Sequence, residues 1–404
     1  MLNKAISTNI LTRDFILFSL AVAGMGMASG IHETSYNNYL SDIFAIGAEA
    51  RGFLEFPREL PGLLAVFIAG ALLGFGPVKV GVIAIGMLTI GLFGLGFLST
   101  NFSWMVVYMV IWSMGNHLFM PLEGSIAVGL AKDRGVGEVL GKIGSIRLAT
   151  TILGAAVIWI GFGSFLETNL SYQQSYFIAM SVGLGAMVAL IAMRSVRAEG
   201  KPTRLVWRSE YKIYYWLCLL WGIRKQIFIT FAPWLIIQHF QQSASIIAQL
   251  WIATSIIGIV FRPLLGRLSD RYGERVILVG EVPIIILTFL GYAWAPFIAN
   301  AQHGLYLIFI CYIVNSVLGA SSMIRTSYIS KILTHENDLT PTLAMGVSLD
   351  HATAMLMPMI GGLIWGMFGS QYVFLTAIVF LLISGYVASK AVVPSHSQPT
   401  TVSI

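Results

Sequence analysis

Charge is what this chain has least of. Only 10% of its 404 residues are Asp, Glu, Lys or Arg, the apolar fraction is 57% and the mean hydropathy is +0.81. A water-soluble globule of this size is excluded, because its surface could not be covered with polar groups. Cysteine is nearly absent. Cys218 and Cys311 both lie in apolar stretches, where a thiol behaves as a small hydrophobe, so neither a disulfide framework nor a metal site is expected of them. His32, His117 and His351 have no metal-ligand spacing, and no metal or other cofactor is expected. No glycine-rich nucleotide loop and no stretch long enough for a soluble catalytic domain is present, which argues against an ATP-driven pump or an enzyme. The opening MLNKAISTNILTRD lacks a small-residue cleavage site after a short apolar core, so the first apolar segment is expected to be retained.

What remains is a series of long apolar runs bounded by charge, proline or polar clusters. A bilayer core takes about 20 apolar residues per helix. The first half supplies Phe15–Leu40, Arg51–Phe75, Val78–Leu98, Trp104–Leu130, Ile143–Phe165 and Tyr176–Met193. The second half supplies Ile213–Ile237, Ile246–Leu265, Val276–Ala293, Leu305–Ser330, Pro341–Phe368 and Tyr372–Val392. With the N-terminus inside, 17 of the 24 basic residues fall in cytoplasmic segments, the asymmetry that orients short-looped membrane proteins. Both termini are then cytoplasmic. The +6 net charge is a matter of topology and lipid headgroups, not of nucleic acid.

The halves also resemble one another. GIHE at Gly30–Glu33 aligns with GIRK at Gly222–Lys225, Gly62 and Gly70 with Gly258 and Gly266, and SIRLAT at Ser145–Thr150 with SLDHAT at Ser348–Thr353, at offsets of 192, 196 and 203. Three matches in order favour an internal duplication. The expected fold is an all-α membrane protein of twelve transmembrane helices in two pseudo-symmetric six-helix bundles, residues 1–193 and 213–393. A basic cytoplasmic linker, 194–212, joins them, and a tail, 394–404, follows.

The segment GRLSDRYGERVIL, Gly266–Leu278, lies in the loop between the eighth and ninth runs. It closely resembles the loop motif of the major facilitator superfamily, with Gly266, Asp270, Arg271, Gly273 and Arg275 in the expected places. The first-half counterpart, GALLGFGPVKV at Gly70–Val80, departs from the pattern: Gly74 stands for the acid, Pro77 for the second glycine and Lys79 for the base. The resemblance implies an alternating-access transporter in the cytoplasmic (inner) membrane, acting as a monomer, by symport or antiport, on a small-molecule substrate with protons as the coupling ion. It also implies that Asp270, Arg271 and Arg275 take part in an inner gate, and that the first, fourth, seventh and tenth helices line a central cavity. The fifth helix has no proline in SIRLATTILGAAVIWIGFG, unlike drug/proton antiporters, which weakens the alternative of an efflux pump for amphipathic drugs or toxic compounds.

An ionised side chain deep in the bilayer costs several kcal/mol unless paired or hydrated. The runs contain six acids, Glu33, Glu55, Glu59, Glu123, Glu281 and Asp350, and six bases, Arg58, Arg147, Arg224, Lys225, Arg262 and Arg325. Arginine binds a carboxylate in bidentate fashion, so Arg224, with Arg147 or Arg325, is expected to hold the anionic part of an anionic or zwitterionic solute. The plain alternative is that these arginines only neutralise Glu33, Glu123 and Asp350. The amides Asn37, Asn116, Gln226 and Asn315 are further cavity candidates. Glu33 and Asp350, each beside a histidine (His32 and His351), are the candidates for proton coupling. Glu55, Arg58 and Glu59 stand at i, i+3 and i+4 between Pro57 and Pro61, a charged helix face suited to an outer gate.

Overall fold

The computed structural model describes residues 2–71, 75–131, 135–163, 170–194, 207–335 and 338–393, with side chains from residue 13 onward except 65–71. Most of the basic linker, part of the first-half loop and the C-terminal tail lie outside these residues. Among the described residues the regular structure is entirely helical. The helices are α1 (Leu2–Phe44), α2 (Ala48–Ala71), α3 (Pro77–Phe93), α4 (Phe102–Leu130), α5 (Val136–Gly161) and α6 (Tyr172–Ile191). They continue as α7 (Lys212–Gln238), α8 (Ala244–Tyr272), α9 (Glu274–Trp294), α10 (Ala301–Leu318), α11 (Ser322–Ile332), α12 (Leu339–Phe368) and α13 (Ser370–Ala388).

Local chemistry explains several of these boundaries. Asn101 accepts a hydrogen bond from the Trp104 amide and opens α4, Ser171 and Gln174 form a reciprocal capping box at α6, and Asn300 receives the amides of Gln302 and His303 at α10. Each satisfies donors that the first helical turn leaves without a partner. The tenth apolar run, expected as one helix, is broken by a 3-10 turn at Gly319–Ser321, where three small residues in a row tighten the backbone. Among the described residues, ten helical stretches are long and apolar enough to cross a membrane. α2 and α7, which carry the charges of Glu49–Glu59 and Arg224–Lys225, are not among them. Large side chains stand out from the helices, including Val260 at 72%, Leu287 at 66% and Met367 at 73% exposure, a surface suited to lipid.

The chain gathers into two compact units, and each contains a short segment from the other half of the sequence. One holds residues 1–46, 57–202 and 241–252; the other holds 47–56, 203–240 and 253–404. In the first, α1 packs on α5 and α6, and α3 on α4 and α6; in the second, α7 packs on α12 and α13, and α9 on α10 and α13. With α10 and α11 counted as one rod, the internal packing order is the same, as a duplication requires.

Glycine contacts fix the register of that duplication. A Cβ on Gly26 would lie 2.3 Å from Thr150 Oγ1 and 2.7 Å from the Arg147 carbonyl; one on Gly222 would lie 2.1 Å from Thr353 Oγ1 and 2.8 Å from the Asp350 carbonyl. Thr150 donates to the carbonyls of Ile146 and Arg147, and Thr353 to those of Leu349 and Asp350. The counterpart of Gly222 is therefore Gly26, at the offset of 196 already found for Gly62 and Gly70, and not Gly30 as the GIHE and GIRK alignment suggests. Arg147 and Asp350 remain counterparts, whereas His32 and Glu33 move one helical turn away from Arg224 and Lys225.

Outside the membrane-spanning helices, the end of the linker is clamped to the loop before α12. Arg208 Nε lies 2.5 Å from Asp338 Oδ2, and the Tyr211 hydroxyl donates to the same oxygen at 3.1 Å. Trp207 stacks on Tyr215 with ring centres 4.6 Å apart. The Arg208 guanidinium holds the Asp338 carboxyl below its ordinary value of 3.8.

Two predictions follow from this packing. Gly26→Val or Gly222→Val forces a helix crossing apart and lowers stability by about 1–3 kcal/mol, while Gly280→Ala, where an added Cβ meets nothing within 4 Å, leaves it unchanged or slightly raised; thermal unfolding in detergent reads both. A depressed carboxyl pKa contributes stability that is present above the unfolded value and lost as pH falls through the folded one. Asp338→Asn therefore lowers Tm by a few degrees at pH 7, and the gap to the parent closes below about pH 4.

Candidate functional site

The second unit gathers most of the buried charge. Arg224 on α7 is only 5% exposed, and its Nη1 lies 3.5 Å from Glu281 Oε2 on α9. One turn earlier on α7, Trp221 presents its ring to two cations: the guanidinium carbon of Arg224 is 4.6 Å from the ring centre, and that of Arg325, on α11, is 4.1 Å away. Such stacking supports a cation where water is scarce. Lys225, the next residue on α7, pairs with Asp350 on α12 at 2.6 Å. Neighbours on a helix diverge by about 100°, which is why Arg224 and Lys225 reach different partners on different helices.

Arg325 stands apart from the other membrane arginines on these helices. Its Nη1 is enclosed and has no hydrogen-bond partner, and no carboxylate among the described residues lies within ion-pair distance of it. It lines a cavity together with Tyr214, Cys218, Thr326, Gly346 and Asp350. The Asp350 Oδ1 atom also lacks a partner, since Lys225 takes only Oδ2. Gly222 makes room for it, because a Cβ there would come within 2.8 Å of Oδ1. A second cavity, bordered by Leu217, Trp221, Arg224, Glu281 and Ser321, is also lined by Arg325. Unsatisfied polar atoms beside a cavity are where a solute can be held.

Two of the expected amides are committed elsewhere. Gln226 donates to Glu55 Oε2 at 2.7 Å, and Glu55 is itself paired with Arg51 at 2.5 Å; all three are buried. The close approach beside them rests on Gly52, whose added Cβ would lie 2.2 Å from the Pro358 carbonyl. Asn315 donates to Thr288 Oγ1 at 3.1 Å and ties α10 to α9.

The first unit holds the remaining candidates. Arg147 on α5 pairs with Glu123 on α4, the plain neutralisation weighed from the sequence. His32 is buried between Trp112, 3.8 Å away centre to centre, and Tyr36 at 4.8 Å, while Glu33 beside it is exposed. Asn37 is buried and Asn116 partly so. Arg58 pairs with Glu59 at 2.7 Å, and Glu59 lies 3.8 Å from His117, whose Nδ1 is 3.0 Å from Ser113 Oγ. His351, in the second unit, is partly buried.

In the loop motif, Asp270, Arg271 and Arg275 are exposed, and the Arg271 guanidinium rests over Tyr272. The engaged acid is Glu274, which sequence reasoning passed over. It is 3% exposed and receives Ser327 Oγ at 2.7 Å and Lys331 Nζ at 2.5 Å, both from α11. Gly273, at φ +85°, turns the chain so that α9 begins with this residue, a backbone conformation that glycine adopts without strain. The acid inside the motif was a visible signal.

A family model described as Major Facilitator Superfamily matches residues 18–349. No curated protein matches the chain in sequence. Among solved structures, the nucleoside transporter NupG superposes with a TM-score of 0.74 at 14% identity, covering 95% of this chain and 99% of that one. The D-xylose-proton symporter gives 0.70 at 14% identity over 96% and 99%, and a human organic anion transporter 0.57 at 12% identity over 94% and 98%. Likeness at such identities speaks for the fold alone. The match across most of the chain, together with the helical architecture and the loop motif, places this protein in the major facilitator superfamily of membrane transporters.

Proposed function

We propose that the chain is a secondary active transporter of twelve spanning helices in two pseudo-symmetric bundles, moving a small polar, anionic or zwitterionic solute by alternating access with proton coupling. Both termini lie on the cytoplasmic side of the cytoplasmic membrane. The observation that carries this reading is Arg325, a guanidinium without a carboxylate partner that lines the same cavity as Asp350. Arg224 and Arg147 have protein acids beside them, so the anionic part of the solute falls to Arg325. Gln226 and Asn315 are engaged by Glu55 and Thr288 and are left out of this proposal. Uncompensated charge in a low-dielectric site is costly, and an incoming anion relieves that cost.

Asp350 is the coupling acid in this proposal. Its ion pair with Lys225 breaks if the carboxylate is protonated, which gives proton uptake a direct structural effect next to Arg325. His32, packed among aromatic rings, is supported as a packing residue.

In proteoliposomes with an imposed pH gradient, Arg325→Gln is expected to cut solute uptake at least tenfold through apparent affinity, a loss of about 1.4 kcal/mol or more, whereas Arg147→Gln changes it less. Uptake by Arg325→Gln with unchanged affinity rejects the binding role. Asp350→Asn should retain exchange of solute across the membrane while losing acceleration by the pH gradient; full acceleration in that variant removes Asp350 from coupling.

A further inference from the structure

The cavity shared by Arg325 and Asp350 has a charge balance that narrows the solute beyond the reading above, on which this inference rests. Three charged groups bear on it: Arg325 on α11, Lys225 on α7 and Asp350 on α12. Lys225 and Asp350 neutralise each other at 2.6 Å, and the neighbouring Arg224 and Glu281 form a second neutral pair. One positive charge is left, on Arg325. The protein also leaves two atoms unsatisfied, the donor Nη1 of Arg325 and the acceptor Oδ1 of Asp350, and these two residues are not ion-paired with each other among the described contacts.

We propose that the cavity takes a small hydroxylated monocarboxylate, with the carboxylate on Arg325 and a hydroxyl donating to Asp350 Oδ1. A single negative charge brings the site to neutrality, and arginine presents paired donors that match a carboxylate edge. The second contact calls for a donor without charge. An ammonium at Asp350 would compete with Lys225 for one carboxylate, and a zwitterion as a whole would leave the charge of Arg325 uncompensated, which a low-dielectric site penalises. A neutral sugar leaves it uncompensated too. One wall is tight, for α12 approaches α7 so closely at Gly346 that an added Cβ would lie 2.4 Å from the Tyr214 hydroxyl and 2.9 Å from Cys218 Sγ.

Glycerate, serine and glycerol differ at one functional group each and propionate lacks the hydroxyls, so equilibrium binding of these four, with gluconate as a longer hydroxy acid, to the purified full-length chain tests the proposal. Glycerate or gluconate is expected to bind at least tenfold more tightly than serine, glycerol and propionate. Arg325→Lys should weaken the hydroxy acid tenfold or more, and Asp350→Asn should abolish its advantage over propionate. The unliganded melting temperature of each variant is measured alongside, so that loss of folding is recognised; for a variant that fails this control, Thr326→Val and Cys218→Ser, which alter the cavity wall without touching charge, must shift hydroxy-acid affinity instead. Equal or tighter binding of serine or glycerol, propionate equal to glycerate, or no binding of either hydroxy acid overturns the proposal. Flux assays on the same probes separate the two levels: uptake of serine or glycerol sinks the hydroxy-acid class but keeps the transporter, while tight hydroxy-acid binding without flux of any probe keeps the class and sinks the transporter.

Discussion

An isolated charge in a low-dielectric interior is expensive, and most of the interior chemistry of this chain is arranged to avoid one. Arg147 answers Glu123, Arg224 answers Glu281, Lys225 answers Asp350 and Arg51 answers Glu55. Each pair links residues that a single span could not satisfy or, for Arg51 and Glu55, fills one helix face at i, i+4. Against that background Arg325 is the exception. Its guanidinium is supported by the face of Trp221 at 4.1 Å, which lowers the cost of keeping the cation in place without cancelling its charge. Arg224 shares the same indole at 4.6 Å but has Glu281 beside it, so among the described residues of α7, α11 and α12 Arg325 is the guanidinium with the ring and no ion pair.

The second constraint is close approach. The α1–α5 and α7–α12 crossings are built on the same device, a glycine against a threonine that turns its hydroxyl back to its own helix. The threonine thereby satisfies its hydrogen bond within the helix and presents a compact surface to the glycine. The residue three positions before that threonine is Arg147 in one unit and Asp350 in the other. The two units thus share this packing while the corresponding positions carry opposite charges.

How much of this could be read beforehand follows from which forces are local. Hydropathy and the Gly266–Leu278 motif depend on residues near one another in sequence, so the family and most of the spans were legible. The register of the repeat was legible only to within a turn, because α1 offers Gly24, Gly26 and Gly30 where α7 offers Gly222, and only the contact with Thr150 chooses among them. Ion pairs across 57 and 125 residues were beyond a one-dimensional reading; that Arg224 rather than Arg325 would be neutralised depends on where α9 sets Glu281. Gln226 and Asn315 looked like cavity amides because their type says nothing of the neighbour that occupies them. Asp338 was passed over for a similar reason: its partner lies at the far end of the linker.

The break at Gly319–Ser321 gives α11 a mechanical identity of its own. It is a rod of eleven residues, roughly 16 Å long at 1.5 Å per residue. Arg325 sits near one end beside the cavity it shares with Asp350, while Ser327 and Lys331, farther along, grip Glu274 at the start of α9. The cavity wall at Arg325 and the start of α9 at Glu274 are thus joined through one short helix.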